Sequence, residues 1–185
     1  MTTPSGTPAA AVPRQVATAY DSVSPGKIPR GALMAIGYAN GLYAWPEPAW
    51  AQFPDSRKAR IDVIGNDPGQ ASILDVERYD ATPAHAAEWV PARDRFRPGT
   101  ATIYCDLAAL PDVFTAIMPV NAGSTCWIWL GDWTGTPHVP THHKDGSAIV
   151  WPHGIELAAV QYVTVIDQYD ITAVYSQRWL DQHSK

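Results

Sequence analysis

In ASILDVERYD, residues 71–80, an apolar run ends in Asp75 and Glu77 and gives way at once to ATPAHAAEWV, residues 81–90. A short apolar run bounded by turn signals reads as a buried strand. Thr82 followed by Pro83 reads as an N-cap with a first-turn proline, so a helix follows the strand. A strand apolar on both faces must be covered on both, as in a parallel sheet under helices. Residues i and i+2 of a strand face the same way, about 7 Å apart along the chain. Asp75 and Glu77 therefore point into one space, where two carboxyl groups repel unless a proton or a bound group is shared.

Runs of the same kind recur along the chain: VATAYDS (16–22), ALMAIGYA (32–39), RIDVIGN (60–66), ASILDVE (71–77), TATIYCD (100–106), TCWIWLGDW (125–133), LAAVQYV (157–163) and ITAVYS (171–176). Further helical segments fit between some of them, PEPAWAQF at 46–53 and DLAALPDVFTAIM at 106–118, the latter interrupted or begun at Pro111. Eight strands with intervening helices predict an α/β fold, a compact (β/α)8 TIM-type barrel in which several helices are short or missing. The segment 134–156 reads as loop and hairpin, and SVSPGKIPRG, residues 22–31, as the loop after the first strand at the rim of the site. Residues 1–15, rich in Thr, Pro and Ala without periodicity, read as a flexible N-terminal arm, and 16–185 as a single barrel domain.

Composition narrows the partners. Of 185 residues, 46% are hydrophobic and 17% charged, with a formal charge of −5, which describes a globular protein and argues against nucleic acid as partner. No apolar run is long enough to span a bilayer, and MTTPSGTPAAAVPRQ lacks the basic start and apolar centre of a Sec signal. Cys105 and Cys126 are too few for a disulfide framework and match no zinc spacing; two buried thiols on neighbouring strands are expected, with a single disulfide as the alternative. The 8 tryptophans and the tyrosines bring large flat surfaces of the kind on which sugar rings stack.

Chemistry in a β/α barrel sits at the C-terminal ends of the strands. Acids fall there repeatedly: Asp21 ends the first run, Asp75 and Glu77 the fourth, Asp106 the fifth, and Asp167 and Asp170 precede the last. Asp106, before LAAL, and Asp80 read as caps of the helices that follow. His138, His142 and His143 with Asp145 stand in a proline-rich loop, where a solvated loop outweighs a metal site, and His85 reads as a partly exposed helix residue. No metal and no cofactor is expected, and no phosphate loop or nucleophile elbow occurs.

AYDS (19–22), ILDVE (73–77), IYCD (103–106), WIWLGDW (127–133) and VQYVTVIDQYDITAVY (160–175) resemble, in this order, the strand motifs of the family 25 glycoside hydrolases and of the related glycoside-hydrolase-like domains of actinobacteria and their phages. The resemblance implies a lysozyme-like muramidase that cuts peptidoglycan or a related cell-wall polysaccharide. It implies Glu77 as the general acid, Asp75 as an ionised helper at the substrate acetamido group or the oxocarbenium-like centre, and Asp21 with Asp170 completing the acidic cup, Asp167 being the runner-up for Asp170. Tyr38, Tyr104, Trp129 and Tyr162, at or near strand ends, would stack on sugar rings. Where the family carries an aromatic pair before the aspartate-x-glutamate strand, this chain has RIDVIGNDPGQ (60–70). A phage endolysin or a virion-associated enzyme fits the missing Sec signal, as does release to the wall by another route. The alternative is a catalytically idle barrel used as a structural or glycan-binding module on a phage particle, its arm docking on a virion or other protein.

Overall fold

A computed structural model describes residues 13–121 and 123–183. Most of the expected N-terminal arm, residues 1–12, lies outside them. All eight expected strands are present: β1 Ala17–Asp21, β2 Met34–Tyr38, β3 Arg57–Asp62, β4 Ile73–Val76, β5 Thr102–Asp106, β6 Cys126–Gly131, β7 Ile155–Val165 and β8 Tyr169–Val174. They close into one barrel in chain order. The helices are few and short, as expected: α1 Glu47–Trp50, α2 Pro83–Phe96, α3 Leu110–Ile117 and α4 Gln177–Asp181.

The barrel is not all-parallel. From β1 to β7 each strand runs parallel to its neighbour, but β8 is antiparallel to both β7 and β1. The cause is the length of the connection. A parallel return needs a crossover of about a dozen residues or more, whereas β7 and β8 are joined by Ile166, Asp167 and Gln168 alone, with Asp167 in the left-handed region at φ 59°. The expectation of eight β/α units is thus corrected to a closed, mostly parallel eight-stranded barrel.

Alternation along the strands separates two cores. Met34, Ile36, Ala59, Ile61, Ile73, Trp127, Trp129 and Val174 fill the interior, with Trp179 and Leu180 of α4 packed in as a plug. Across the barrel lumen Trp129 Nε1 donates to Thr172 Oγ1 (3.2 Å), and Trp179 Nε1 donates to Thr102 Oγ1 (2.9 Å). The alternate residues Leu74, Val76, Ile103, Cys105, Ile128 and Leu130 face outward under Trp89 and Val90 of α2 and Leu110, Val113 and Ile117 of α3. Cys105 and Cys126 are buried free thiols on adjacent strands, and burial raises the pKa of both.

The start of α2 follows its sequence signal. Thr82 Oγ1 accepts from the His85 backbone N (3.3 Å) and His85 Nδ1 accepts from the Thr82 backbone N (3.1 Å), a reciprocal cap. Thr82→Ala is expected to cost about 1 kcal/mol, lowering the melting temperature by about 2–4 °C in a thermal scan. Asp80, expected as a cap, is displaced from that task by Thr82.

Candidate active site

The C-terminal ends of β1, β2, β4 and β5 and the facing end of β8 open on one side of the barrel. There Asp21, Tyr38, Ile61, Asp75, Glu77, Tyr104, Trp129, Trp133, Gln161, Thr164 and Asp170 line a cavity of about 110 Å³. Three further cavities adjoin it. One of about 210 Å³ shares Tyr38, Asp75 and Glu77 and is walled by Leu42, Tyr43 and Asp80. One of about 400 Å³ passes Glu77, Arg78, Asp106 and Asp112. The third, about 360 Å³, shares Asp21, Tyr38 and Asp170. Glu77 borders three of the four, so it stands where the branches of the groove meet.

Two carboxyl pairs form the floor. Asp75 and Glu77 leave β4 on the same face, and with Asp80 they present oxygen atoms within 4.8 Å of one another. Carboxylates at that spacing repel one another unless a proton is shared or solvent screens them, as it does at exposed Asp80. Asp21 and Asp170 are direct partners in the antiparallel β1–β8 ladder, where like charges destabilise. Oδ1 of Asp21, of Asp75 and of Asp170 is buried with no hydrogen-bond partner.

These surroundings set the protonation. Burial, then Glu77, Asp80 and Asp21, raise Asp75 well above the usual carboxylate range. Glu77 is raised as well, by burial first, with a hydrogen bond from Tyr104 holding it back. Burial, with Asp170 and Glu77, raises Asp21 well above its ordinary value. Asp170 is raised by burial against hydrogen bonds from Thr164 and Gln161. Asp75 is the deeper member of its pair, so an Asp75 that simply stays ionised does not fit its burial.

Small and flat side chains shape the wall. The Tyr104 and Trp129 rings meet edge to face with centroids 4.7 Å apart. Tyr104 and Trp133 approach β6 at Gly131, where an added Cβ would lie 2.9 Å from Tyr104 Oη and 3.0 Å from the Trp133 ring. Glycine at that position is what lets the Tyr104 hydroxyl reach Glu77.

Of the residues expected at the site, Asp21, Tyr38, Asp75, Glu77, Tyr104, Trp129 and Asp170 converge on this cleft. Tyr162 does not line it; its neighbour Gln161 does, because successive strand residues face opposite sides. Asp170 reaches the floor, and Asp167 only the outer cavity. Trp133, Gln161 and Thr164 line the cleft without having been singled out from the sequence. Asp106 accepts from the Ala109 backbone N at 2.7 Å in the turn before α3, but the α3 N-cap is Ala109 and no side chain caps it, so the expectation of Asp106 as a cap is corrected. His138 Nε2 meets Asp132 Oδ2 at 2.7 Å, and among the described residues the histidines of 138–143 do not gather with Asp145 into a donor cluster. No helix of the described residues is long and apolar enough to cross a membrane. Comparison with protein families, with curated proteins and with solved structures returned no match.

Proposed function

We propose that the chain is a glycoside hydrolase on a variant TIM-type barrel, cutting a cell-wall polysaccharide, peptidoglycan above all, in the manner of the family 25 lysozymes it resembles. The observation that carries this reading is the placement of Glu77. It is half-buried, has a carboxylate oxygen within 4.8 Å of oxygens of Asp75 and Asp80, and borders three cavities, one of them walled by Tyr38, Tyr104, Trp129 and Trp133. A glycan strand laid across the groove passes over a carboxyl that burial holds above the usual carboxylate range.

The chemistry follows from the pair. Glycoside cleavage needs one carboxylic acid to protonate the leaving oxygen and a second group to meet the oxocarbenium-like charge. Cleavage needs a proton on Glu77 and a charge on Asp75, a charge that burial disfavours until the oxocarbenium-like centre forms beside it. Glu77, the member open to the groove, hands the proton over, and Asp75 takes the facing charge. The Tyr104 hydroxyl steadies the Glu77 carboxylate as it forms.

The spacing carries a stereochemical prediction. Inverting enzymes separate their carboxyls by about 6.5–9.5 Å to admit a water, and retaining ones by about 5–5.5 Å. One oxygen of Asp75 and one of Glu77 lie within 4.8 Å of each other, which favours the closer, retaining arrangement, so retention is expected. Release of reducing ends from a panel that includes actinobacterial walls tests the activity, and proton NMR of the first product anomer tests retention. An inverted first product would contradict the pairing of Asp75 with Glu77. A panel left intact by a folded protein would remove the hydrolase reading.

A further inference from the structure

The Asp21–Asp170 pair does work that acid catalysis by Asp75 and Glu77 leaves unexplained. The two side chains sit directly across the β1–β8 ladder, where partner Cβ atoms are about 4.5–5.5 Å apart. Asp21 is only 4% exposed. Each of the two keeps one buried oxygen with no partner. Among the described residues, no lysine, arginine or histidine lines either cavity that meets at the pair. A buried, unbalanced carboxyl pair of this kind is costly in the empty protein.

A shared proton relieves the pair in the empty protein, as the raised Asp21 and Asp170 carboxyls reflect, and a ligand that takes the place of that proton must carry positive charge. A sugar hydroxyl would fill one lone pair and leave the repulsion in place, whereas an ammonium group both donates hydrogen bonds and cancels charge. The outer cavity, about 360 Å³, is bordered by Ser22, Ser24, Tyr38, Thr164 and Tyr169. That volume falls in the range of small-molecule pockets, roughly 300–1,000 Å³, and exceeds what a bare ion fills. Its hydroxyls and tyrosine rings suit a sugar ring with its charged group directed at the pair.

We infer that Asp21 and Asp170 form a recognition site for a primary ammonium group. Resting on the glycan reading above, the ligand class is an amino sugar lacking its acetyl group, seated beside the sugar at Glu77. The substrate preference that follows is for wall glycan or related polymer that has been partly de-N-acetylated.

Isothermal titration with a glucosamine tetramer, an N-acetylglucosamine tetramer and ethanolamine tests this, alongside NMR shifts of the Asp21 and Asp170 carboxyl carbons. The glucosamine tetramer is expected to bind about tenfold more tightly than its acetylated counterpart. Asp170→Asn, near-isosteric and half-buried, is expected to erase that preference, and Asp21→Asn serves as the second variant if circular dichroism shows the first misfolded. Equal or tighter binding of the acetylated tetramer overturns the inference and leaves the glycan reading standing. Shifts at the pair with ethanolamine, but no binding of either tetramer, uphold the ammonium site and remove the glycan reading. Silence toward all three probes overturns both.

Discussion

Glu77→Gln is expected to lower kcat/KM for glycan cleavage by about 10²–10⁴-fold, the usual contribution of a general acid. Glutamine keeps the shape of the side chain and its hydrogen bonding to Tyr104, but has no proton to give. Glu77 is half-buried at the mouth rather than in a core cluster, so the fold is expected to persist. Removing one of several mutually repelling carboxylates, with Asp75 and Asp80 within 4.8 Å, should leave the melting temperature unchanged or slightly raised. Steady-state kinetics on a soluble wall oligosaccharide, paired with a thermal scan, separates the two effects. A variant as fast as the wild type would take the acid role away from Glu77.

Asp62→Ala is expected to destabilise the fold by about 3 kcal/mol, a fall in melting temperature of roughly 6–12 °C. Asp62 is buried at the end of β3 and collects five donors. Its Oδ1 accepts from Asn40 Nδ2 (2.7 Å) and from the backbone N of Ile64 (3.0 Å) and Gly65 (2.7 Å); its Oδ2 accepts from the backbone N of Asp67 (2.7 Å) and Trp89 Nε1 (3.0 Å). One carboxylate thus ties the β3–β4 loop to the β2 end and to α2. Alanine would leave these donors without their acceptor, the indole N–H of fully buried Trp89 among them. Burial alone would raise the Asp62 pKa, but the hydrogen bonds from Asn40, Asp67, Gly65 and Ile64 outweigh it and the net shift is downward. A carboxyl lowered in the folded state contributes stability that is full above its unfolded pKa, about 3.9, and is lost as pH falls through the folded value. Chemical denaturation from pH 7 down to about pH 3 should therefore show the gap between wild type and Asp62→Ala narrowing at the acid end. A gap that stays constant would show that the charge on Asp62 is immaterial.

The two predictions concern residues that differ in how far the sequence announced them. Asp75 and Glu77 were legible because a strand repeats every second residue, so two acids at i and i+2 after an apolar run must share a space. All eight strands were legible for a related reason: each needs enough apolar surface to be buried on both faces. The direction of β8 was not read, although its cause is in the chain, since the residues between Val165 and Tyr169 are too few for a crossover. Asp62 was passed over because its partners are mostly backbone N–H groups of a loop, and backbone donors leave no mark in a sequence. Gln161 and Tyr162 show the limit of motif reading. The aromatic residue drew attention, but alternation along β7 turns the glutamine into the cleft. The β7 register also shifts between Gln161 and Val163, an irregularity that no periodicity count reveals. Thr82, read with Pro83 as the N-cap pair, takes the cap as the sequence indicates, so the second capping task expected of Asp80 falls away and Asp80 stands near Glu77.

The central claim is that Asp75 and Glu77 at the barrel mouth break a glycosidic bond rather than merely hold a glycan. Digestion of purified wall glycan in heavy-oxygen water, read by mass spectrometry, tests it most directly. The account predicts one heavy oxygen at each new reducing end with the wild type and none with Glu77→Gln. Wall glycan that the protein binds but leaves without any labelled end would contradict it, and would make the barrel a binding module.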